Sequence, residues 1–291
     1  MKPGIIDIGS NSVRLCWLND TPHAGILPEE RLRYSRLGEN ETESGLLNDS
    51  AVNRTVAAVK ELMAEAQAND VEILRISATS ALREAVNRQA VVEKMEADLS
   101  SPVCILSENE EARYSYEGAI YGLPQDRRIR VVMDIGGGST ELCWGSGENM
   151  AASVPVGAVR LYESADKIGG VHKALAPLVQ NAPKGDITLI GVGGTLTTMA
   201  AIFEQITNYD ARSIHHLTYG SNAMTQLNTI LKSLTVEERR GVPGMAASRA
   251  DILPYGLDIA LAVMHDLFTR TVTVSTTDLL FGQLLDLTEK A

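Results

Sequence analysis

The chain has 291 residues, enough for two domains of ordinary size, and 44% hydrophobic with 22% charged residues describes a soluble globular protein. A net charge of −11 and only 4% aromatic residues argue against general nucleic-acid binding, which wants a basic face and stacking rings. The same charge excludes a polyanionic ligand held by bulk attraction, so such a ligand needs locally placed donors, arginines and a bridging cation.

The first element is Ile5-Ile6 followed by Asp7, a Gly9-Ser10-Asn11-Ser12 loop and a second apolar run to Trp17, which reads as strand, tight turn, strand. No signal-peptide pattern precedes it, and no apolar run approaches the ~20 residues of a membrane span, so a cytoplasmic protein is expected. Arg31 to Leu37 alternates as a third strand with basic residues on one side, either a solvated face or a ligand-facing one. Gly38 to Asp49 is a polar loop, and Ser50 to Ala68 an amphipathic helix with Val52, Val56, Val59, Leu62 and Met63 inward. Val71 to Ile76 is a buried strand. It runs into Ser77-Ala78-Thr79-Ser80-Ala81-Leu82-Arg83, where hydroxyl residues between strand and helix suit an anion, although Arg83 could equally form a surface salt bridge.

Val103 to Leu106 is another strand. Ser107 then caps a helix over Glu108 to Tyr121, with Glu110 at the third position of a capping box. Glu111 is rotated about 100° from Glu110 and shares a small, polar face with Ser115 and Gly118. Gly122 and Pro124 end the helix, and a polar connector puts the domain boundary at residues 122–128, giving domains 1–124 and 125–291. A second hairpin follows, Ile129 to Trp144. Asp186 to Gly191 is a strand entering Val192-Gly193-Gly194-Thr195 and a helix through Phe203, a pattern that can cradle phosphate. His215-His216 lack the companions of a metal site and read as structural. Arg249-Ala250-Asp251 opens a long helix through Leu267, and Thr271 to Val274 is the last strand. The three cysteines read as reduced residues rather than a disulfide frame.

The two hairpins are copies. Asp7-Ile8-Gly9-Ser10-Asn11-Ser12-Val13-Arg14-Leu15-Cys16-Trp17 returns as Asp134-Ile135-Gly136-Gly137-Gly138-Ser139-Thr140-Glu141-Leu142-Cys143-Trp144 at a constant offset of 127 residues. Both tryptophans and two of the three cysteines fall in these copies. Glycine removes Cβ and lets backbone N–H groups approach an anion, serine and asparagine add donors, and an Asp beside the turn can hold a divalent cation. The pair therefore predicts a phosphate–metal clamp.

Asp7 to Ser12 and Asp134 to Glu141 resemble the D-x-G-S-N-S and D-I-G-G-G-S-T-E loops of the exopolyphosphatase / guanosine pentaphosphate phosphohydrolase family. That family lies within the actin–Hsp70–sugar kinase superfold, and the resemblance runs from about residue 4 to residue 290. It implies an α/β fold of two ribonuclease H-like (actin-like ATPase) domains, each a mixed sheet flanked by helices, with an active-site cleft between them. It implies an Mg²⁺-dependent phosphoanhydride hydrolase acting by in-line attack of water on inorganic polyphosphate or guanosine pentaphosphate.

By matching positions, Glu111 falls on the catalytic glutamate of the family's S-G-N-E-E-A-R stretch, and Arg83 on an arginine that contacts substrate phosphates. Gly9, Ser10, Asn11, Ser12, Gly137, Gly138, Ser139, Gly194 and Thr195 are expected around phosphate, and Asp134 and Glu141 around the cation with Asp7 as a third acid. Leu280 stands where the family often has an arginine, and longer members continue into a helical extension that bears on processivity. The expected partner is a polyphosphate or guanosine polyphosphate, with a homodimer left open and neither nucleic acid nor membrane involved. The alternatives are a kinase of the same superfold and a non-catalytic alarmone sensor.

Overall fold

The structure is a computed structural model that describes residues 1–20, 25–38, 45–145, 147, 150–164 and 170–289. By its contacts the chain divides into Met1–Tyr114 with Leu279–Ala291, and Ser115–Asp278.

In the first unit, β1 (Lys2–Ile8) and β2 (Ser12–Trp17) form the first hairpin, and β3 (Glu29–Tyr34) extends it antiparallel. The helix α1 (Asp49–Ala68) leads into β4 (Val71–Ala78), which lies parallel to β1. Then come α2 (Ser80–Glu84), α3 (Arg88–Leu99), β5 (Cys104–Ile105) parallel to β4, and α4 (Glu108–Ile120). The sheet order is β3-β2-β1-β4-β5. α1 starts where the Asn48 side chain accepts the Ala51 N–H at 2.8 Å, which satisfies one of the otherwise unpaired first-turn donors. Its buried stripe of Val52, Val56, Val59 and Leu62 packs on Ile6, Ile8, Val13 and Leu15 of the hairpin.

In the second unit, β6 (Ile129–Ile135) and β7 (Thr140–Cys143) form the second hairpin, extended by β8 (Ala151–Val154). After α5 (Ala158–Glu163) and α6 (Val171–Asn181), β9 (Ile187–Val192) lies parallel to β6 and runs into α7 (Gly193–Phe203). β10 (Thr218–Gly220), α8 (Ser221–Ser233), α9 (Val236–Arg240), α10 (Leu253–Asp266) and β11 (Thr271–Val274) complete it. The order is β10-β11-β9-β6-β7-β8, so β8-β7-β6-β9 repeats β3-β2-β1-β4. The core is filled by Leu196 and Met199 of α7, Leu257, Ala260, Val263 and Met264 of α10, and the inward residues of the sheet. Two mixed sheets flanked by helices are thus the expected α/β architecture.

The details differ from expectation in several places. The contact division falls inside α4, ahead of the connector at 122–128, and the last helix α11 (Leu279–Glu289) belongs to the first unit. Long-range contacts that local sequence cannot show tie α11 to that unit. Fully buried Gln283 donates to Ser77 at 3.1 Å, Asp286 takes Arg113 at 3.3 Å and the Tyr114 hydroxyl at 3.1 Å, and Gly282 meets the Tyr114 backbone. α10 starts at Leu253 rather than Arg249: Ala247–Arg249 form a 3₁₀ turn, and Pro254, which lacks an N–H, fits only a first helical turn. Residues 39–44 of the expected polar loop lie outside the described residues. The basic face of β3 is neither bare nor ligand-facing. Arg31 reaches Glu65 at 2.8 Å, and Arg33 reaches Glu61 at 2.9 Å and Glu65 at 3.0 Å, so both arginines clamp the strand to α1.

Gly282 offers a test of how α11 is held. A Cβ there would collide with the Tyr114 carbonyl, backbone that cannot swing aside. Alanine should gain about 1 kcal/mol in helix propensity, but overpacking typically costs about 1–3 kcal/mol and works against it. Gly282→Ala should therefore lower the urea midpoint; a midpoint raised by the propensity gain would contradict the close crossing.

Candidate active site

Both hairpins close in the same way. Gly9 N–H donates to the Ser12 carbonyl at 2.9 Å and Gly136 N–H to the Ser139 carbonyl at 3.0 Å, again 127 residues apart. In each copy the carbonyls of the tip are consumed by a neighbouring segment. Ser10 O accepts from Gly38 N–H at 2.9 Å, and Asn11 O from Ser35 at 3.2 Å and Arg36 at 2.9 Å. Gly136 O accepts from Ala158 at 2.9 Å, and Gly137 O from Val159 at 2.9 Å and Arg160 at 3.1 Å. Carbonyl oxygens would repel an anion, and tying these four back removes them from the polar face of the exposed tips Ser10-Asn11 and Gly137-Gly138. Gly157 is the necessary partner of the second tip, because any Cβ there would strike the Gly137 carbonyl.

In the first unit Asp7 is buried and accepts from the Ser77 hydroxyl at 2.8 Å, the same hydroxyl that takes the Gln283 amide. Parallel pairing of β1 with β4 places Asp7 beside Ser77 and the Gly9–Ser12 tip beside the start of α2, where the Ser10 and Ser80 hydroxyls stand 3.3 Å apart. Arg83 extends from α2 to Glu111 of α4, pairing with Oε2 at 2.7 Å while it also donates to the Leu106 carbonyl at 3.0 Å. Glu110 is engaged in the expected capping box. Its Oε2 accepts from the Ser107 N–H at 2.9 Å and the Ser107 hydroxyl at 2.7 Å, while that hydroxyl accepts from the Glu110 N–H at 3.3 Å. These bonds from Ser107, backbone first, hold the Glu110 carboxyl below the usual carboxylate range. The two adjacent glutamates thus have separate tasks, one closing a helix end and the other gripping Arg83.

In the second unit Asp134 lies directly opposite Glu141 across β6–β7, the register that in the first copy sets Asp7 opposite Arg14. Glu141 Oε1 accepts from Ser153 at 2.9 Å. Gly193 has φ +78, and a Cβ on it would sit 2.5 Å from Asp134 Oδ1, so glycine both permits the turn and leaves room for that carboxylate oxygen beside it. Thr195 is buried and donates to Ile135 O at 3.4 Å, fastening the start of α7 to the strand that carries Asp134. The guanidinium of Arg249 lies against Gly194, where any Cβ would collide with it, and that of Arg160 lies 3.8 Å from a Cβ position on Gly138. Sequence reading missed both arginines as candidates. Leu280 is fully buried.

His215 and His216 are packed, stacked rings rather than ligands of a cluster. His215 Nδ1 faces the Thr276 N–H at 3.2 Å and the Thr276 hydroxyl at 3.0 Å.

A duplicated strand–turn–strand with a glycine tip, an acid at its foot and a parallel third strand is the architecture of an actin-like α/β protein. Its chain matches the Ppx/GppA phosphatase family over residues 23–291, and it belongs to that family. It is similar to Exopolyphosphatase 2 of Mycobacterium tuberculosis, at 31% identity over 97% of this chain and 97% of that one. Similarity to the guanosine-5'-triphosphate,3'-diphosphate pyrophosphatase of Photobacterium profundum is 26% over 98% of this chain and 59% of the relative. The crystal structure of the Aquifex aeolicus Ppx/GppA family member superposes with a TM-score of 0.85 at 27% identity, over 100% of this chain and 98% of that one.

The histidine pair makes a pH prediction. Burial, reinforced by neighbouring His216, pulls His215 down to about 4. An unfolded imidazole titrates near about 6.5, so neutral His215 lends stability that is complete above that value and is lost as the pH falls towards about 4. Urea midpoints should decline through that window, and His215→Gln should flatten the decline. An unchanged slope in the variant would refute the assignment.

Proposed function

We propose that the chain hydrolyses phosphoanhydride bonds, releasing orthophosphate from the end of inorganic polyphosphate, with guanosine pentaphosphate as the second substrate class. The exopolyphosphatase relative matches over nearly its whole length and the pentaphosphate hydrolase over little more than half, which favours polyphosphate. The observation that carries the reading is the Asp134–Glu141 pair at the foot of the Gly136–Gly138 tip. Two carboxylates directly opposite on an antiparallel pair repel each other, an arrangement that a cation offsets. Their all-oxygen donor set suits Mg²⁺, which usually takes one or two carboxylates and completes its shell with water and phosphate oxygens. When bound, Mg²⁺ neutralises charge that develops on the phosphoryl oxygens.

In this proposal the glycine and hydroxyl tips at Gly9–Ser12 and Gly137–Ser139, with Gly194 and Thr195, donate to phosphate, and Asp134 and Glu141 hold the cation. Asp7, through Ser77 and Gln283, fixes the foot of the first tip and is the third acidic contributor. Glu111 orients the attacking water and takes its proton. Arg83, which grips Glu111, also clamps a substrate phosphate, so substrate competes with Glu111 for the guanidinium and frees the carboxylate as it binds. Among the described residues no nucleophilic serine or cysteine arrangement calls for a covalent intermediate. A kinase of the same superfold needs an acceptor, and an alarmone sensor shows no turnover. Orthophosphate release from polyphosphate or pentaphosphate without added acceptor separates all three.

Glu111→Gln should lower kcat by roughly 10²–10⁴, the usual range for a general base, with little change in stability. Glu110→Gln should keep kcat near wild type, since glutamine still caps. The reverse pattern would make Glu110 the base.

The cation assignment has its own test. Asp134→Ala and Glu141→Ala should each raise the Mg²⁺ concentration needed for half-maximal phosphate release and lower the maximal rate. Wild-type rates for both at low Mg²⁺ would remove these residues from the site.

A further inference from the structure

Within the second unit, and apart from the residues above, His172, at the start of α6, and His265-Asp266, at the end of α10, come together. His172 Nδ1 lies 2.9 Å from Asp266 Oδ2 and His265 Nδ1 lies 2.8 Å from Asp266 Oδ1. The two rings meet edge to face with centroids 5.3 Å apart. One ligating atom from each of the three side chains lies within 4.8 Å of the other two. The imidazoles are exposed, 58% and 77%. An open groove of about 670 Å³ runs beside them, lined also by Ser221, Thr225, Phe268 and Arg270.

Two imidazoles and one carboxylate are the donors of a borderline first-row cation, not of Mg²⁺, which prefers oxygen alone. Around a tetrahedral zinc, bonds of about 2.0–2.1 Å separate ligand atoms by roughly 3.4 Å. The present contacts of 2.8–2.9 Å open to that spacing by small rotations of exposed side chains. We propose that His172, His265 and Asp266 form a Zn²⁺-class binding site that fastens the start of α6 to the end of α10, its fourth position open to the groove. The site is a fastener rather than part of the chemistry. Gly256, in the first turns of α10, packs on Thr195, and Asp266 lies ten residues further on, about 15 Å along the axis.

The test uses the full chain stripped of metal and titrated with Zn²⁺ by calorimetry, with Co²⁺ as the optical probe. One equivalent should bind, Co²⁺ should give the d–d bands of a four-coordinate site, and Zn²⁺ should raise Tm. His172→Gln and His265→Gln should each weaken binding by at least roughly 10–100-fold, the loss seen when even a supporting partner of a metal-bound histidine is removed. Both should abolish the Zn²⁺-dependent rise in Tm while leaving the metal-free Tm unchanged. An Asp134→Asn/Glu141→Gln double variant and a Cys104→Ser variant should keep the binding, which separates this site from the proposed Mg²⁺ pair and from the exposed thiol. Absence of saturable binding in the wild type, or binding that survives in both histidine variants, overturns the proposal.

Discussion

The parallel pairing of each hairpin's first strand with a third strand is the constraint on which the candidate site depends. Parallel strands end on the same side, so the turn after β1 and the segment after β4 emerge together, as do the turn after β6 and the segment after β9. That is why Thr79 N–H reaches the Ile8 carbonyl at 3.3 Å and the Thr195 hydroxyl reaches the Ile135 carbonyl. A hairpin alone would be a marginal ribbon with an exposed tip. Set beside the carboxyl end of a parallel strand, it gains a second set of donors and a rigid foundation of fully buried Ile5, Ile6, Val131 and Met133.

The two copies keep this frame and use it differently. In the first, the acid at the foot is buried and bonded into a chain from Gln283 through Ser77, so its position depends on a helix at the far end of the sequence. In the second, the acid faces another acid, and a glycine with positive φ leaves room for its oxygen. One exchange at a single register position, Arg14 for Glu141, separates a cross-strand acid–base pair from a cross-strand acid pair. The divergence is electrostatic, carried on a conserved backbone geometry.

What could be read in the sequence was local or repeated. The hairpins, the Ser107–Glu110 capping box and the α1 stripe follow from spacing alone, because a cap or a turn is decided within a few residues. The resemblance of Asp7–Ser12 and Asp134–Glu141 to family loops carried the fold class. What could not be read depends on distant partners. Alternation marks β3 as a strand but not that Arg31 and Arg33 are spent on Glu61 and Glu65. The return of α11 to the first unit rests on Asp286 meeting Arg113 and Tyr114, more than 170 residues earlier. The break expected at 122–128 followed a helix terminator, a local signal, whereas the contact division follows packing and falls within α4.

Charge decides how a protein of net −11 can serve a polyanion. Exposed charges more than about 8 Å apart are largely screened at physiological salt, so the bulk acidity matters less than the few cations at the loops. Position 280 carries none of them, since Leu280 is fully buried and a lone guanidinium there would lose its hydration. The cations that do stand at loops are Arg249, admitted against Gly194 by a missing Cβ, Arg160 beside Gly138, and Arg83, held by Glu111. A guanidinium offers a planar fork matched to phosphate oxygens, so a few such groups at short range supply what the overall field withholds. Glycine at position 194 therefore makes room, by its missing Cβ, for the Arg249 guanidinium at the start of α7.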